Sequence, residues 1–183
     1  MTEFSISLLD EEKTYLKNLV RQSIASRFGQ GPAEPPAPPT KRLEEKYGAF
    51  VTLKLGDRLR GCIGNIVGSD KLYRTVWDMA QAAAFRDARF NPVTREEAEQ
   101  LEIEISILGP VEVCPDLNEI KVGRHGLIMQ RGGHSGLLLP QVPVEWGWNR
   151  EQFLAHTCRK AGLPADAWDK AGTTVYWFEA EVF

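Results

Sequence analysis

The stretch AFVTLKLGDRLRGCIG, residues 49–64, decides the fold. Ala49, Val51, Leu53 and Leu55 alternate with Phe50, Thr52 and Lys54, the two-residue period of a strand with one buried face. Gly56-Asp57 is a short turn signal, so 49–55 and 58–63 are expected to pair as an antiparallel hairpin. In the second arm the same period puts Arg60 and Cys62 on one face and Leu59, Gly61 and Ile63 on the other. Glycine inside a strand marks a bulge or a close approach of another group to the backbone, and Gly61 and Gly64 bracket the cysteine.

Working outward, residues 10–28 carry a helical stripe of Leu16, Leu19, Val20 and Ile24, with Asp10 or Ser7 as cap and Gly29 as stop. Five prolines at 32, 35, 36, 38 and 39 then impose an extended connection over 30–40, read chiefly as a spacer to the sheet; a ligand for a proline-reading domain is the other reading. After the hairpin, Ser69 or Asp70 caps a helix running to Arg86, with Leu72, Val76, Met79, Ala80 and Ala83 on one face. Residues 87–93 read as an irregular loop, and Thr94 with Glu97 forms a capping box opening a short helix. The clearest strand is 101–108, with Leu101, Ile103, Ile105 and Ile107 inward and Glu102, Glu104 and Ser106 outward. Short strands follow at 111–114, 126–130 and 136–139. Asn149 and Gln152 cap a helix over 150–161, and 173–183 closes the chain as a strand with Tyr176, Phe178, Ala180 and Val182 on one face. Hairpin-linked strands with few helices predict an α+β fold with an antiparallel sheet and flanking helices.

The 183 residues suit one domain, 1–183, and are 43% hydrophobic and 26% charged, the profile of a globular protein with a sizeable core. A net charge of −3 argues against non-specific binding to nucleic acid or anionic membranes. Cys62, Cys114 and Cys158 are far apart, with no CxxC pair, which is neither a disulfide framework nor a zinc spacing. The start, MTEFSISLLDEEK, has no basic and apolar signal pattern, and no run of about 18 apolar residues occurs, so the cytoplasm is the expected location.

The residues bear on three chemistries. His125, His134 and His156 are isolated, so no metal is expected; no particular cofactor is implied. Gly61, Gly64 and Gly68 precede a helix, but the segment lacks the GK[ST] ending of a phosphate loop, and Asp70 sits where the anion belongs. Nucleophilic catalysis is the sharpest reading. Cys62 is the nucleophile, Arg60 favours its thiolate or an anionic ligand, and His125, flanked by Gly123 and Gly126, is the acid/base partner. Asp87, Arg89 and Gln141 would shape the pocket with Gly61 and Gly64. Against these stand plainer roles: Cys62 as core filler, His125 as a satisfied structural histidine, and Asp87 with Arg89 as an ion pair or a cap of a neighbouring element. Trp146 and Trp148 cover a pocket or form a core edge.

LRGCIG at 59–64, together with AAAFRDARFNPV (82–93), LEIEISIL (101–108), VGRHGLIM (122–129), GLLLPQV (136–142), WNREQFL (148–154) and CRKAGLP (158–164), resembles the AMMECR family, whose prokaryotic members are protein A of the AmmeMemoRadiSam system. The resemblance runs from about Leu9 to Phe183. It implies a larger and a smaller lobe with LRGCIG near the cleft between them. It also implies partners, a Memo-like protein and a radical S-adenosylmethionine (radical SAM) protein, but no assigned reaction. Two departures stand out: Asn65-Ile66 follows the hexapeptide where Thr-Phe is usual in eukaryotic members, and the proline-rich stretch is longer than a plain linker. Two function classes remain: a small-molecule or modified-residue enzyme using Cys62, and a non-catalytic scaffold docking on those partners.

Overall fold

The computed structural model describes residues 6–183; residues 1–5, part of the stretch read for a targeting signal, lie outside. The chain divides into two compact units, one of residues 6–108 with 181–183, the other of residues 109–180. Strands pair antiparallel throughout and helices flank them, which is the expected α+β class.

In the first unit, the N-cap position of α1 (Asp10–Ser26) is held by Leu9, not by Ser7 or Asp10, and its side chain makes no cap hydrogen bond. Glu12 instead reaches back to accept the Leu9 N–H at 2.8 Å. The hairpin is β1 (Gly48–Leu55) and β2 (Arg58–Asn65). Ala49, Val51 and Leu53 of β1 are fully buried, and Val51 and Leu53 each contribute roughly 1.5–3 kcal/mol on leaving water. Helix α2 (Leu72–Phe85) packs on both arms and α1 packs on α2. It starts after Lys71 with no side-chain cap, one residue beyond an Asp70 cap and two beyond a Ser69 cap; Asp70 accepts the Lys71 N–H and the Glu45 carbonyl accepts the Leu72 N–H. The capping box at α3 (Arg95–Ala98) forms as read, Thr94 Oγ1 accepting Glu97 N–H and Glu97 accepting Thr94 N–H. β3 (Glu102–Leu108) lies beside β1, giving the order β2–β1–β3, and residue 183 exchanges backbone hydrogen bonds with Ile105. Ser106, expected outward, is fully buried.

The second unit orders its strands β4–β7–β5–β6: β4 (Glu112–Val113), β5 (His125–Arg131), β6 (His134–Leu138) and β7 (Thr173–Val182). A short helix, α4 (Gln141–Glu145), stands where the sequence reading has no element; Pro143 is its third residue, within the first turn, where an N–H has no intrahelical acceptor to lose. α5 (Arg150–Lys160) carries the predicted Asn149–Gln152 cap. It packs on β5 and β6 around a core of Leu127, Met129, Phe153, Leu154, Cys158 and Trp177. β7 carries Tyr176, Phe178, Ala180 and Val182 on one face, and it buries residues on both faces, Phe178 on that one and Val175 and Trp177 on the other.

Candidate functional site

The hairpin contains a bulge that alternation alone does not show. Thr52 pairs with Cys62 and Leu53 with Gly61, but the next residue, Lys54, pairs with Leu59, leaving Arg60 as the extra residue. Leu59 therefore shares the Lys54 and Cys62 side of the hairpin, not the Gly61 side, and the strict two-residue pattern breaks at Arg60. On the other side, a Cβ added to Gly61 would lie 2.1 Å from the Ala83 carbonyl oxygen. The glycine is there because α2 rests its backbone on the strand. Gly64 answers a similar constraint: its added Cβ would fall 2.3 Å from the Phe50 ring and 2.4 Å from the Ala49 carbonyl oxygen.

Arg60 is committed to Glu97. Nε and Nη2 form a two-point pair with the carboxylate at 3.0 and 2.8 Å, and Nη2 also donates to the Pro92 carbonyl at 3.2 Å. Arg60 holds Glu97 below the usual carboxylate range, while the same carboxylate caps α3. Nη1 of Arg60 is buried with no hydrogen-bond partner among the described residues. Thus Arg60 ties the bulge to the loop before α3.

Cys62 has different company. β2 is an edge strand, and across it Cys62 faces Thr52, whose hydroxyl donates to Sγ at 3.2 Å. The outward peptide groups of Cys62 are covered by the 87–89 loop. Asp87 Oδ2 accepts the Cys62 N–H at 2.9 Å, and Arg89 Nη2 donates to the Cys62 carbonyl at 3.3 Å. Between them Arg89 Nε and Nη2 pair with the two Asp87 oxygens at 2.9 and 2.7 Å. Side chains here do what a neighbouring strand would do for an otherwise bare edge. Asp87 is only 4% exposed, and the Arg89 guanidinium, with help from the Cys62 and Arg89 backbone N–H groups, holds its carboxyl down to about 2. Arg89 is raised in turn, first by Asp87, and among the charges it senses is that of the Cys62 side chain. Its remaining surface is open, 46% exposed. The thiol itself is half-buried.

His125 belongs to the other unit and is explained there. Its Nδ1 accepts the Lys121 N–H at 3.1 Å, which leaves the ring proton on Nε2, 3.8 Å from Glu179 Oε1. The ring is 6% exposed and lies 4.5 Å from Trp177; burial lowers its pKa, with Glu179 opposing. Gly126 is required because a Cβ there would meet the Phe178 ring at 2.2 Å. Gln141 opens α4 in the same unit. The structure thus brings Cys62 together with Asp87 and Arg89, and places His125 and Gln141 in the second unit.

Three partners, Thr52, Glu97 and Glu179, are not visible in the sequence pattern. Without the bulge, counting back from the Gly56-Asp57 turn pairs Thr52 with Gly61, so the hydroxyl on the sulfur was hidden by one inserted residue. Among the described residues, no three His, Cys, Asp or Glu side chains converge as a metal set, and no helix is long and apolar enough to cross a membrane.

Relatives share this chain over nearly its whole length. A Pyrococcus abyssi protein is 45% identical over 95% of the chain and 90% of its own length. One from Methanopyrus kandleri is 44% identical over 94% and 88%. The crystal structure of an uncharacterized protein from Pyrococcus horikoshii superposes with a TM-score of 0.89 at 43% identity, covering 96% of this chain and 92% of that one. The AMMECR1 family model matches residues 17–183, a span that holds the bulged hairpin, the Asp87–Arg89 clamp and the whole second unit, and the chain belongs to that family.

Proposed function

We propose that the edge of β2 at Cys62 is a reactive-thiol site acting on a small molecule or a modified residue. The observation that carries this reading is the setting of the sulfur: a hydroxyl donor from Thr52 and the charge of Arg89, itself fixed by a buried carboxylate. Both features favour a thiolate, the form that attacks electrophiles. In this reading Arg89 takes the place that sequence assigned to Arg60, whose guanidinium is spent on Glu97. Asp87 is a positioning residue that fixes both the Cys62 peptide and Arg89. The protein would work in the cytoplasm, where thiols stay reduced, alongside a Memo-like protein and a radical SAM protein.

Competition among the three cysteines tests it. Burial pushes the Cys114 and Cys158 thiols up, so limited alkylation read by peptide mass spectrometry is expected to label Cys62 first. Labelling of Cys114 ahead of Cys62 would remove the reactive-thiol reading.

A second reading is favoured by the fit of Gly61 to the Ala83 carbonyl and by the backbone targets of Asp87 and Arg89. Here the hexapeptide is a structural hairpin and the protein a scaffold for those partners. Cys62→Ser that keeps partner capture and cellular function intact would favour the scaffold; loss of function with capture retained would favour the thiol.

A further inference from the structure

Arg89 spends only part of its guanidinium within the fold. Nε and Nη2 engage the two Asp87 oxygens, and Nη2 also donates to the Cys62 carbonyl at 3.3 Å. The third nitrogen, Nη1, makes no hydrogen bond among the described residues, so two N–H donors remain. The edge turned to Asp87 is closed, since that carboxylate is buried, whereas the Arg89 side chain as a whole stays open.

The guanidinium is also already ordered. An arginine that takes a ligand ordinarily gives up rotamer freedom to do so. Here Asp87, the Cys62 carbonyl and the Phe90 ring, whose centre is 5.3 Å from Arg89 Cζ, fix it beforehand. It is fixed beside the sulfur. The carbonyl that Nη2 touches belongs to the residue that bears Sγ, and the covalent geometry of one cysteine keeps those two atoms within about 5 Å of each other.

The charges around the hairpin limit what such an anchor can take. Asp87 is paired with Arg89, Glu97 with Arg60, and Glu104, opposite Thr52 on β3, lies 3.9 Å from Lys54. Glu102, opposite Lys54, stands in solvent. No excess of positive charge draws ions from a distance, so recognition is a short-range contact at Nη1. A phosphate dianion calls for more than one cation, whereas one nitrogen with two N–H groups matches a singly charged carboxylate.

We infer, on the basis of the reactive-thiol reading, that Arg89 Nη1 anchors a carboxylate of the substrate, so that Cys62 acts on electrophiles bearing a carboxylate near the carbon attacked. Arg89 thereby selects the substrate as well as setting the charge around the thiol.

The charge preference of Cys62 in the full chain tests this. Iodoacetate and iodoacetamide are alike in size and leaving group, and only iodoacetate carries a carboxylate. With either, the thiolate forms an S–C bond as the C–I bond breaks and iodide leaves. Both attack the same thiolate, so the ratio of their rates cancels the thiol's own pKa. Read at Cys62 by peptide mass spectrometry, the iodoacetate-to-iodoacetamide ratio should exceed that of N-acetylcysteine amide in the same buffer by about fivefold, the weight of one exposed charge contact. In Arg89→Gln it should fall to the free-thiol ratio or below it, since Glu104 and Asp87 remain. A native ratio no higher than the free thiol's would overturn the inference, and so would a raised ratio that survives Arg89→Gln. An unraised ratio with Cys62 still labelled ahead of Cys114 by iodoacetamide would do so while leaving the reactive-thiol reading intact. Labelling of Cys62 behind Cys114 by both reagents would remove the two together. The native comparison needs no variant, and circular dichroism checks the fold of Arg89→Gln.

Discussion

Asp87 carries its charge in a nearly closed setting, and that makes it the residue with the clearest pH signature. Its folded pKa is depressed from 3.8 to about 2, so its contribution is complete above pH 4 and disappears as the pH falls through 2. The depression corresponds to about 2 kcal/mol, measurable as the difference in urea unfolding between pH 5 and pH 2. Asp87→Asn should flatten that part of the profile and, by leaving Arg89 without its partner, destabilise the fold by roughly 1–3 kcal/mol. An unchanged acid profile would mean the clamp is not formed in solution. The sequence did show that Asp87 and Arg89 belong together, since two charges flanking one alanine in a loop invite an ion pair. It did not show the target, because which peptide group a loop covers is a tertiary fact.

Elements were legible where their period was clean. β1, β3 and α5 came out close to their expected bounds because buried aliphatics recur at two or 3.6 residues and caps stand at the ends. On β7 the alternation marks the face of 176, 178, 180 and 182 but not that both faces are covered: Trp177 enters the core of the second unit while Phe178 covers Gly126. α4 was missed because five residues with a proline give no period to read. The hairpin was found, and its bulge was not. What the bulge leaves unchanged is the contact between α2 and β2, and there Gly61→Ala is a sharp test. The added Cβ meets backbone, not a side chain that could turn away, so a loss of about 2–4 kcal/mol is expected in denaturant unfolding. Gly132→Ala, at a φ of +57° but with open space around it, should cost only the roughly 1 kcal/mol of a strained turn residue. Equal costs at the two positions would remove the packing explanation of Gly61.

At the scale of the whole molecule, acid acts in two separate windows. Burial lowers the pKa of His125 below 6.5, so the unfolded chain binds that proton first and stability falls as the pH drops below about 6.5. Asp87 acts only below 3.8. Thermal unfolding of the native chain should therefore drop between pH 7 and 5, and His125→Gln should shrink that drop, leaving the share of His156, whose pKa burial and Arg159 also lower, and leaving the lower window in place. The family was readable because seven blocks fall in order along the chain, and the match over residues 17–183 agrees. The chemistry was not readable to the same degree, since it depends on which side chains the fold brings to one sulfur. The most direct measurement is the rate of Cys62 alkylation against pH in the native chain, Thr52→Val and Arg89→Gln. A thiol that accepts that hydroxyl and senses the charge of that guanidinium should titrate below the free-cysteine value of about 8.5, and each substitution should move the midpoint upward. A midpoint at or above 8.5 in the native chain, unmoved by either change, would contradict the reactive-thiol site.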